Sequence, residues 1–115
     1  MKFKYSLILP CFNELENLKL LIPKLLNALN KYKFEIIIVD DNSVDNTINR
    51  LSAIFKNKKN IKYILREKNR SLGLSIKEGI KKSSSDIIIV MDSDFNHRPE
   101  DLKKILNIFE KKNLD

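Results

Sequence analysis

The sequence predicts an α/β protein built on a mainly parallel sheet in three layers. Four apolar runs alternate with four segments of helical periodicity, which is the order of repeated βα units. Two of the apolar runs, 34–39 and 87–91, show no regular alternation of polar and apolar residues. That pattern is typical of parallel strands that helices cover on both faces. At 115 residues the chain holds one domain at most.

The first half of the chain contains two βα units. A strand over 5–9 precedes a helix over 16–29, in which apolar residues recur every three or four positions. Pro23 lies inside that helix and is expected to kink it or to mark an irregular turn. A second strand over 34–39 follows, and Asp45 is the expected N-cap of the helix after it.

The second half repeats the same order. A strand over 61–65 is shorter than the others and is expected near an edge of the sheet, with a helix over 74–82 after it. The strand over 87–91 is followed by Pro99, which suits the first turn of a last helix. The residues expected to face inward from that helix are Leu102, Ile105, Leu106 and Phe109.

The composition is that of a soluble globular protein, with 43% hydrophobic and 32% charged residues. The net charge of +7 fits nucleic acid, an anionic membrane surface or a phosphorylated ligand. The lysines are scattered and do not form a stripe interleaved with aromatic residues, which disfavours nucleic acid as a partner. Plain solvation of the surface remains the alternative explanation of the charge.

A single cysteine, Cys11, excludes an internal disulfide and fits a reducing compartment. No strong base motif accompanies it, so we expect a buried, inert thiol and not a nucleophile. The N-terminus lacks the apolar length and cleavage site of a signal peptide. No apolar run approaches the length that spans a bilayer.

Two pairs of carboxylates end two of the predicted strands. Asp92 and Asp94 follow the last strand and, because side chains alternate along extended backbone, point the same way. Two such oxygen ligands suit Mg²⁺ or Mn²⁺ carrying a diphosphate. Asp40 and Asp41 end the second strand. Solvated turn residues are the alternative, since aspartate is common in turns.

The strand ends also limit how a phosphate can be held. No glycine-rich phosphate loop follows the first strand, and the chain has only two glycines, Gly73 and Gly79. Phosphates would therefore need a metal and side chains. Asp40 or Asp41 is placed to accept hydrogen bonds from a base or a ribose hydroxyl, as acids after a second strand do in nucleotide-binding folds.

Four segments in order resemble the motifs of one enzyme family. They are PCFNELENL at 10–18, IIIVDDNSVDNT at 36–47, GLSIKEGI at 73–80 and DSDFNHRPEDL at 92–102. The chain is similar to the family 2 glycosyltransferases with a GT-A fold, and most to their dolichol-phosphate mannosyltransferase-like branch. The resemblance covers almost the whole chain. It implies a Rossmann-like GT-A half, residues 1–115, that binds a nucleotide sugar and is incomplete at its C-terminus.

The resemblance also implies roles for particular residues. Asp92 and Asp94 would be the D-x-D pair that binds Mg²⁺ or Mn²⁺ on the diphosphate, with Asp94 as the catalytic carboxylate. Phe12 stands where tyrosine is usual, keeping the stacking face and losing a hydroxyl. Arg66 would approach the donor. The residues that would line the nucleotide-sugar pocket are Pro10, Phe12, Glu14, Val39, Asp40, Asp41, Arg70 and Asp92.

Some residues in these motifs have plainer explanations. His97 is more readily understood as a loop-organising or helix-capping residue than as a group that contacts metal or acceptor. Ser75 and Ile76 replace a small residue and alanine, which we interpret as a packing change.

The implied reaction moves a sugar from a nucleoside diphosphate, of the GDP-mannose or UDP-glucose type, to a polyprenyl or dolichyl phosphate. The expected location is the cytoplasm, peripheral on the cytoplasmic face of a membrane. A second subunit or a further C-terminal segment would complete the acceptor side.

Three alternatives remain. A domain that binds a sugar nucleotide without turnover is the strongest. A receiver-like signalling domain would place its acids after the first and third strands. A nucleotidyltransferase would carry a glycine-rich loop after the first strand.

Overall fold

The computed structural model describes residues 3–93 and 98–112. Its elements are β1 (Tyr5–Cys11), α1 (Leu15–Ala28), β2 (Phe34–Asp40), α2 (Thr47–Ile54), β3 (Ile61–Leu65), α3 (Leu72–Lys82), β4 (Ile87–Val90) and α4 (Pro99–Lys112). The four strands form one parallel sheet in the order β3-β2-β1-β4. The predicted βα order and the parallel sheet are confirmed. No helix in these two ranges is long and apolar enough to cross a membrane.

The register of the sheet brings the carboxyl ends of its central strands to one level. Tyr5 pairs with Phe34 at the start of β1 and β2, and Cys11 pairs with Asp40 at their end. On the other side β4 pairs with β1, and the N–H of Met91 donates to the carbonyl of Ile8 at 3.0 Å. The strand order therefore reverses at β1, which has β2 on one side and β4 on the other.

Helices cover both faces of the sheet, which gives the three predicted layers. The larger core lies under α1, α2 and α4 and includes Leu18, Leu51 and Leu106. The opposite face carries α3 over a small cluster of Ile8, Ile37 and Val39. Most of the large, fully buried side chains belong to β1, α1 and β2. These three elements thus form the rigid base on which the loops at the carboxyl edge stand.

Two expectations about buried faces hold only in part. Ile89 and Ile88 of β4 pack against the cores on opposite faces of the sheet, but β4 is an edge strand and Val90 at its end is 44% exposed, so it is covered less completely than β2. In α4, Leu102 and Leu106 are buried, but Ile105 is 60% exposed. Ile105 points outward because α4 buries only a narrow stripe of its surface against α1. Phe109 packs partly against the core, as predicted.

Of the two alternatives for Pro23, the irregular turn is excluded, because α1 continues through this exposed residue. One expectation about helix ends needs correction. Asp45 does not cap α2, whose N-cap is Asn46 in the left-handed conformation without a side-chain cap. Asp45 instead accepts a hydrogen bond from the N–H of Leu15 at 3.3 Å and another from the hydroxyl of Thr47. It therefore joins the start of α1 to the loop before α2.

Candidate functional site

A cleft of about 370 Å³ opens at the carboxyl edge of the sheet, where β1, β2 and β4 end beside the start of α3. The change of direction between β1 and β4 lies here, which is where open α/β sheets bind their ligands. The volume falls in the range of small-molecule sites. The residues that line the cleft are Pro10, Cys11, Phe12, Glu14, Asp41, Arg70, Leu72, Ser75, Asp92 and Ser93.

Hydrogen bonds join the loops after β1 and β2, which form one wall of the cleft. The N–H of Asp41 donates to the carbonyl of Cys11 at 3.0 Å. Asn13, in the left-handed conformation, donates from its backbone N–H to Ser43 Oγ at 2.6 Å and accepts from the N–H of Val44 at 2.9 Å. Asparagine tolerates that conformation better than most residues. The wall is thus fixed by polar contacts between two loops.

Asp41 is the most constrained acid of the cleft. Its side chain is nearly buried, and Oδ1 lies 2.6 Å from a guanidinium nitrogen of Arg66. Oδ2 accepts the backbone N–H of Ser71 at 2.7 Å. A carboxylate has about four acceptor positions, so Asp41 keeps lone pairs for a ligand in the cleft.

Arg70 and Phe12 form a cation–π pair in the cleft. The guanidinium carbon of Arg70 lies 3.8 Å from the centre of the Phe12 ring, and Nε donates to the carbonyl of Asp41 at 3.2 Å. Such pairs are stabilising when the cation stands over the ring face. The pair places a flat apolar surface and hydrogen-bond donors side by side.

Asp40 points into the protein and not into the cleft. It is 1% exposed and accepts hydrogen bonds from the N–H of Ser43 at 3.2 Å and from the Ser43 hydroxyl. The Cys11 thiol donates to Asp40 Oδ1 over 3.8 Å. Burial first, and then the charge of Asp40, raise the pKa of the Cys11 thiol far above its ordinary value. These features favour the expected inert thiol, although Cys11 lines the cleft.

The segment after the last strand contributes Asp92 and Ser93 to the cleft. Asp92 is exposed, whereas Ser93 is 4% exposed. The predicted catalytic and metal-binding residue Asp94 and the neighbouring His97 lie outside the described residues. In the part of the chain that is described, no group of three or more histidine, cysteine, aspartate or glutamate side chains is placed to hold a metal ion. Asp92 is therefore the described half of the predicted metal pair.

The predicted site residues that the structure describes divide into two groups. Six of them line the cleft: Pro10, Phe12, Glu14, Asp41, Arg70 and Asp92. Val39 does not line it, because its side chain is fully buried in the cluster under α3, and the Asp40 carboxylate serves the adjoining loop. The sequence argument missed four lining residues, Cys11, Leu72, Ser75 and Ser93. Their only sequence signal is position: Cys11 lies between Pro10 and Phe12, Leu72 and Ser75 lie near Gly73, and Ser93 lies between the two aspartates.

The cleft carries more negative than positive charge. Three carboxylates line it, those of Glu14, Asp41 and Asp92, against the single guanidinium of Arg70. Arg66, which does not line the cleft, offsets the charge of Asp41 through an ion pair. Neither glycine has a positive φ, so no glycine-rich loop curls around a phosphate here. A ligand with a diphosphate would meet repulsion in this cleft unless a cation accompanied it.

Known proteins are similar to this chain in sequence. The family model described as glycosyl transferase family 2 matches residues 6–115. A dolichol-phosphate mannosyltransferase of Pyrococcus furiosus is 38% identical over 103 residues, which cover 90% of this chain and 29% of the relative. One of Saccharomyces cerevisiae is 31% identical over 108 residues, covering 91% of this chain and 40% of the relative. The chain thus spans well under half the length of these two relatives.

Solved structures share the fold. Staphylococcus aureus TarS (residues 1–349), also crystallised with UDP-GlcNAc, superposes with a TM-score of 0.69 at 28% identity, covering 95% of this chain and 32% of that one. The mannosyltransferase PcManGT of Pyrobaculum calidifontis, in complex with GDP-Man and Mn²⁺, superposes with a TM-score of 0.71 over 82% of this chain and 28% of that one. Because this structure is only 16% identical in sequence, the similarity shows a shared fold and nothing more.

The family model, the two mannosyltransferase relatives and the GT-A neighbours agree with the resemblance that the four motifs indicate. The match extends over nearly the whole chain and includes each strand end that builds the cleft. The chain therefore belongs to glycosyl transferase family 2 and has the parallel α/β architecture of the GT-A fold.

Proposed function

We propose that this chain binds the nucleoside diphosphate of a sugar donor in the cleft and serves glycosyl transfer to a polyprenyl phosphate. The observation that carries the proposal is the convergence of Phe12, Asp41, Arg70 and Asp92 from four separate segments on one cleft. Phe12 offers a stacking face, while Asp41 and Arg70 offer an acceptor and donors for the edge of a base or for a ribose.

The charge of the cleft supports a divalent cation as cofactor. Exposed carboxylate oxygen is a ligand that Mg²⁺ and Mn²⁺ prefer, and Asp92 supplies it at the end of β4. In this proposal Asp92 and Asp94 hold the ion. When bound, the cation neutralises charge on the departing diphosphate as a Lewis acid. Neighbouring structures with Mn²⁺ show that the fold accepts such an ion in other proteins.

The chain's own residues orient the donor for transfer. The Arg70–Phe12 pair and the fixed Asp41 hold the nucleoside end at the β1–β2 side of the cleft, so the diphosphate and sugar extend toward Asp92. A polyprenyl phosphate acceptor is already anionic, so its attack needs no carboxylate base. The mannosyltransferase relatives support this class of acceptor, because their names specify dolichol phosphate.

A domain that binds a sugar nucleotide without turnover is the second candidate. The share of the relatives that this chain spans, 29% and 40%, favours it, because the remainder of those proteins has no counterpart in these residues. Binding of the donor is common to both candidates. A transfer assay distinguishes them.

Calorimetric titration with GDP-mannose and UDP-glucose, with and without Mn²⁺, tests the donor site. Replacing Asp92 by asparagine should weaken Mn²⁺-dependent binding about tenfold, the effect of one lost charged contact. Asp94→Asn should do the same if both carboxylates hold the ion. Binding without Mn²⁺ should change little in either variant.

Asp86→Asn is the matched control. Asp86 is an exposed aspartate that precedes β4, at the edge of the sheet opposite the cleft. The substitution removes the same charge from a position that flanks the same strand, without touching the cleft. Equal Mn²⁺-dependent affinity in the wild type and the Asp92→Asn variant would refute the metal assignment, and no binding of either donor by the wild type would refute the proposed function.

A further inference from the structure

We propose that Arg66 is a positioning residue, which keeps Arg70 over Phe12 by holding both Asp41 and the segment before α3. For its effect on ligand affinity this inference rests on the proposed function. Arg66 does not itself line the cleft, and its side chain is 11% exposed. Its role would therefore be exerted through the residues that it binds.

One guanidinium joins two parts of the cleft wall. A terminal nitrogen of Arg66 donates to Asp41 Oδ1 at 2.6 Å. The other donates to the carbonyls of Lys68 and Asn69, each at 3.3 Å. Asn69 has a φ of 59°, so the chain turns sharply just before Arg70. Only a planar group with several donors can span this arrangement, which distinguishes arginine from lysine at this position.

Asp41 completes the same unit from the other side. Its Oδ2 accepts the N–H of Ser71, and its carbonyl accepts from Arg70 Nε. The hydroxyl of Ser71 in turn caps α3 by accepting from the N–H of Leu74 at 3.3 Å. The position of the Arg70 side chain is thus determined by contacts on both sides of a single carboxylate.

Charge explains why Arg66 controls Arg70. Asp41 is a nearly buried carboxylate and needs a cation close to it. While Arg66 fills that role, Arg70 remains available to stack on Phe12 in the cleft. Without Arg66 the nearest replacement is Arg70, whose Nε already contacts the Asp41 backbone. Arg70 would then turn to the carboxylate and leave the ring.

NMR of the ligand-free chain tests this directly. The side-chain protons of Arg70 lie over the Phe12 ring and should be shifted upfield by its ring current, with the resonances assigned by their loss in Arg70→Lys. Arg66→Met should abolish the upfield shift. Arg66→Lys, the second variant, keeps a charge for Asp41 but loses the carbonyl contacts and should retain part of the shift. Circular dichroism establishes that each variant is folded.

The affinity for free GDP and UDP supplies the functional measurement. Arg66→Met should weaken binding of the nucleotide that the wild type prefers about tenfold, and Arg66→Lys less. Arg50→Met, at an exposed position in α2, is the control and should match the wild type.

The possible outcomes separate the two proposals. An unchanged Arg70 shift in folded Arg66→Met overturns the positioning role, whatever happens to affinity. A lost shift with unchanged nucleotide affinity overturns the link from Arg70 position to binding. If the wild type binds neither nucleotide but the shift is lost in Arg66→Met, the positioning is supported and the proposed function fails.

Discussion

Glu35 is a buried acid at the opposite end of the sheet from the cleft. Its carboxylate is fully buried near the start of β2 and connects that strand to three other segments. Oε2 accepts from the hydroxyl of Ser6 at 2.5 Å and from the N–H of Ser84 at 2.7 Å, and Oε1 lies 2.8 Å from Lys62 Nζ. One side chain thus links β1, β2, β3 and the segment before β4.

This network makes the stability of the fold depend on pH. Burial alone raises the pKa of the Glu35 carboxyl, but its ion pair and hydrogen bonds outweigh burial and leave the pKa below its ordinary value. A lowered pKa stabilises the fold above the unfolded pKa of about 4.3, and that stability is lost as the pH falls through the folded pKa.

We expect Glu35→Gln to lower the free energy of unfolding near neutral pH by about 1.5–3 kcal/mol, the range for charged hydrogen bonds. Its loss of stability on acidification should be smaller than in the wild type. Urea unfolding at a series of pH values between about 6 and 3 measures both. Glu16→Gln, at a side chain that is 79% exposed, is the control and should follow the wild-type profile. A parallel profile for Glu35→Gln would contradict the account.

At this scale the sequence indicates some roles and not others. Asp41 and Asp92 are predictable because residues that follow parallel strands lie at the carboxyl edge of the sheet, where ligands bind. The role of Glu35 is not predictable from the sequence. A single acid inside an apolar run does not indicate that a serine and a lysine from distant segments will contact it. The expectation that Val39 lines the pocket also fails because of tertiary packing, since its side chain faces the core under α3.

At the scale of elements, α3 approaches the sheet more closely at one glycine than at the other. A Cβ on Gly79 would lie 2.7 Å from Cγ2 of Ile8, a buried β-branched residue in β1. A Cβ on Gly73 would meet only Ser71 Oγ, at 3.8 Å. Close packing of α3 on the sheet therefore requires glycine at position 79 but not at position 73.

The two glycines make a matched pair of variants. Gly79→Ala should destabilise the chain by about 1–3 kcal/mol through overpacking against Ile8, less the gain in helix propensity. Gly73→Ala should be neutral or stabilise by up to about 1 kcal/mol, since alanine restricts the unfolded chain and meets open space. Chemical denaturation of both variants gives the comparison. Equal effects of the two substitutions would show that the contact with Ile8 does not limit α3.

The elements themselves were largely predictable, because hydrophobic periodicity is a local property. Each predicted strand and helix is present, with ends that differ by a few residues. The errors at Val90, Ile105 and Asp45 have a common physical cause, since they depend on which element lies next to which. The sequence of an apolar strand does not show whether the strand lies at the edge of a sheet or at its centre.

At the scale of the whole molecule, the two sides of the cleft differ in burial: one side is partly exposed and the other is held by buried contacts. β3 and β4 are the two edges of the sheet, and only β4 adjoins the cleft. Val90 at the end of β4 and Ile80 on α3 are each over 40% exposed. The side of the cleft formed after β1 and β2, by contrast, is held by buried polar contacts at Asp41 and Asp40.

We expect the 115-residue chain, assayed alone, to bind a sugar nucleotide and to give no detectable transfer. Transfer needs an acceptor held in line with the anomeric carbon, and such positioning supplies about 7–11 kcal/mol of barrier reduction in well-oriented systems. In the proposed function Phe12, Asp41 and Arg70 fix the nucleoside. On the other side of the cleft β4 is an edge strand whose last residue, Val90, is 44% exposed, and no other strand among the described residues pairs beyond it to form a wall for an acceptor phosphate. The measurement uses radiolabelled GDP-mannose and UDP-glucose, Mn²⁺ and a short polyprenyl phosphate in detergent, with the Pyrococcus furiosus relative as the positive control. Robust sugar–lipid product from this chain would show that the acceptor needs no wall beyond β4, because the donor cleft and the adjoining surface of α3 would then suffice to align it.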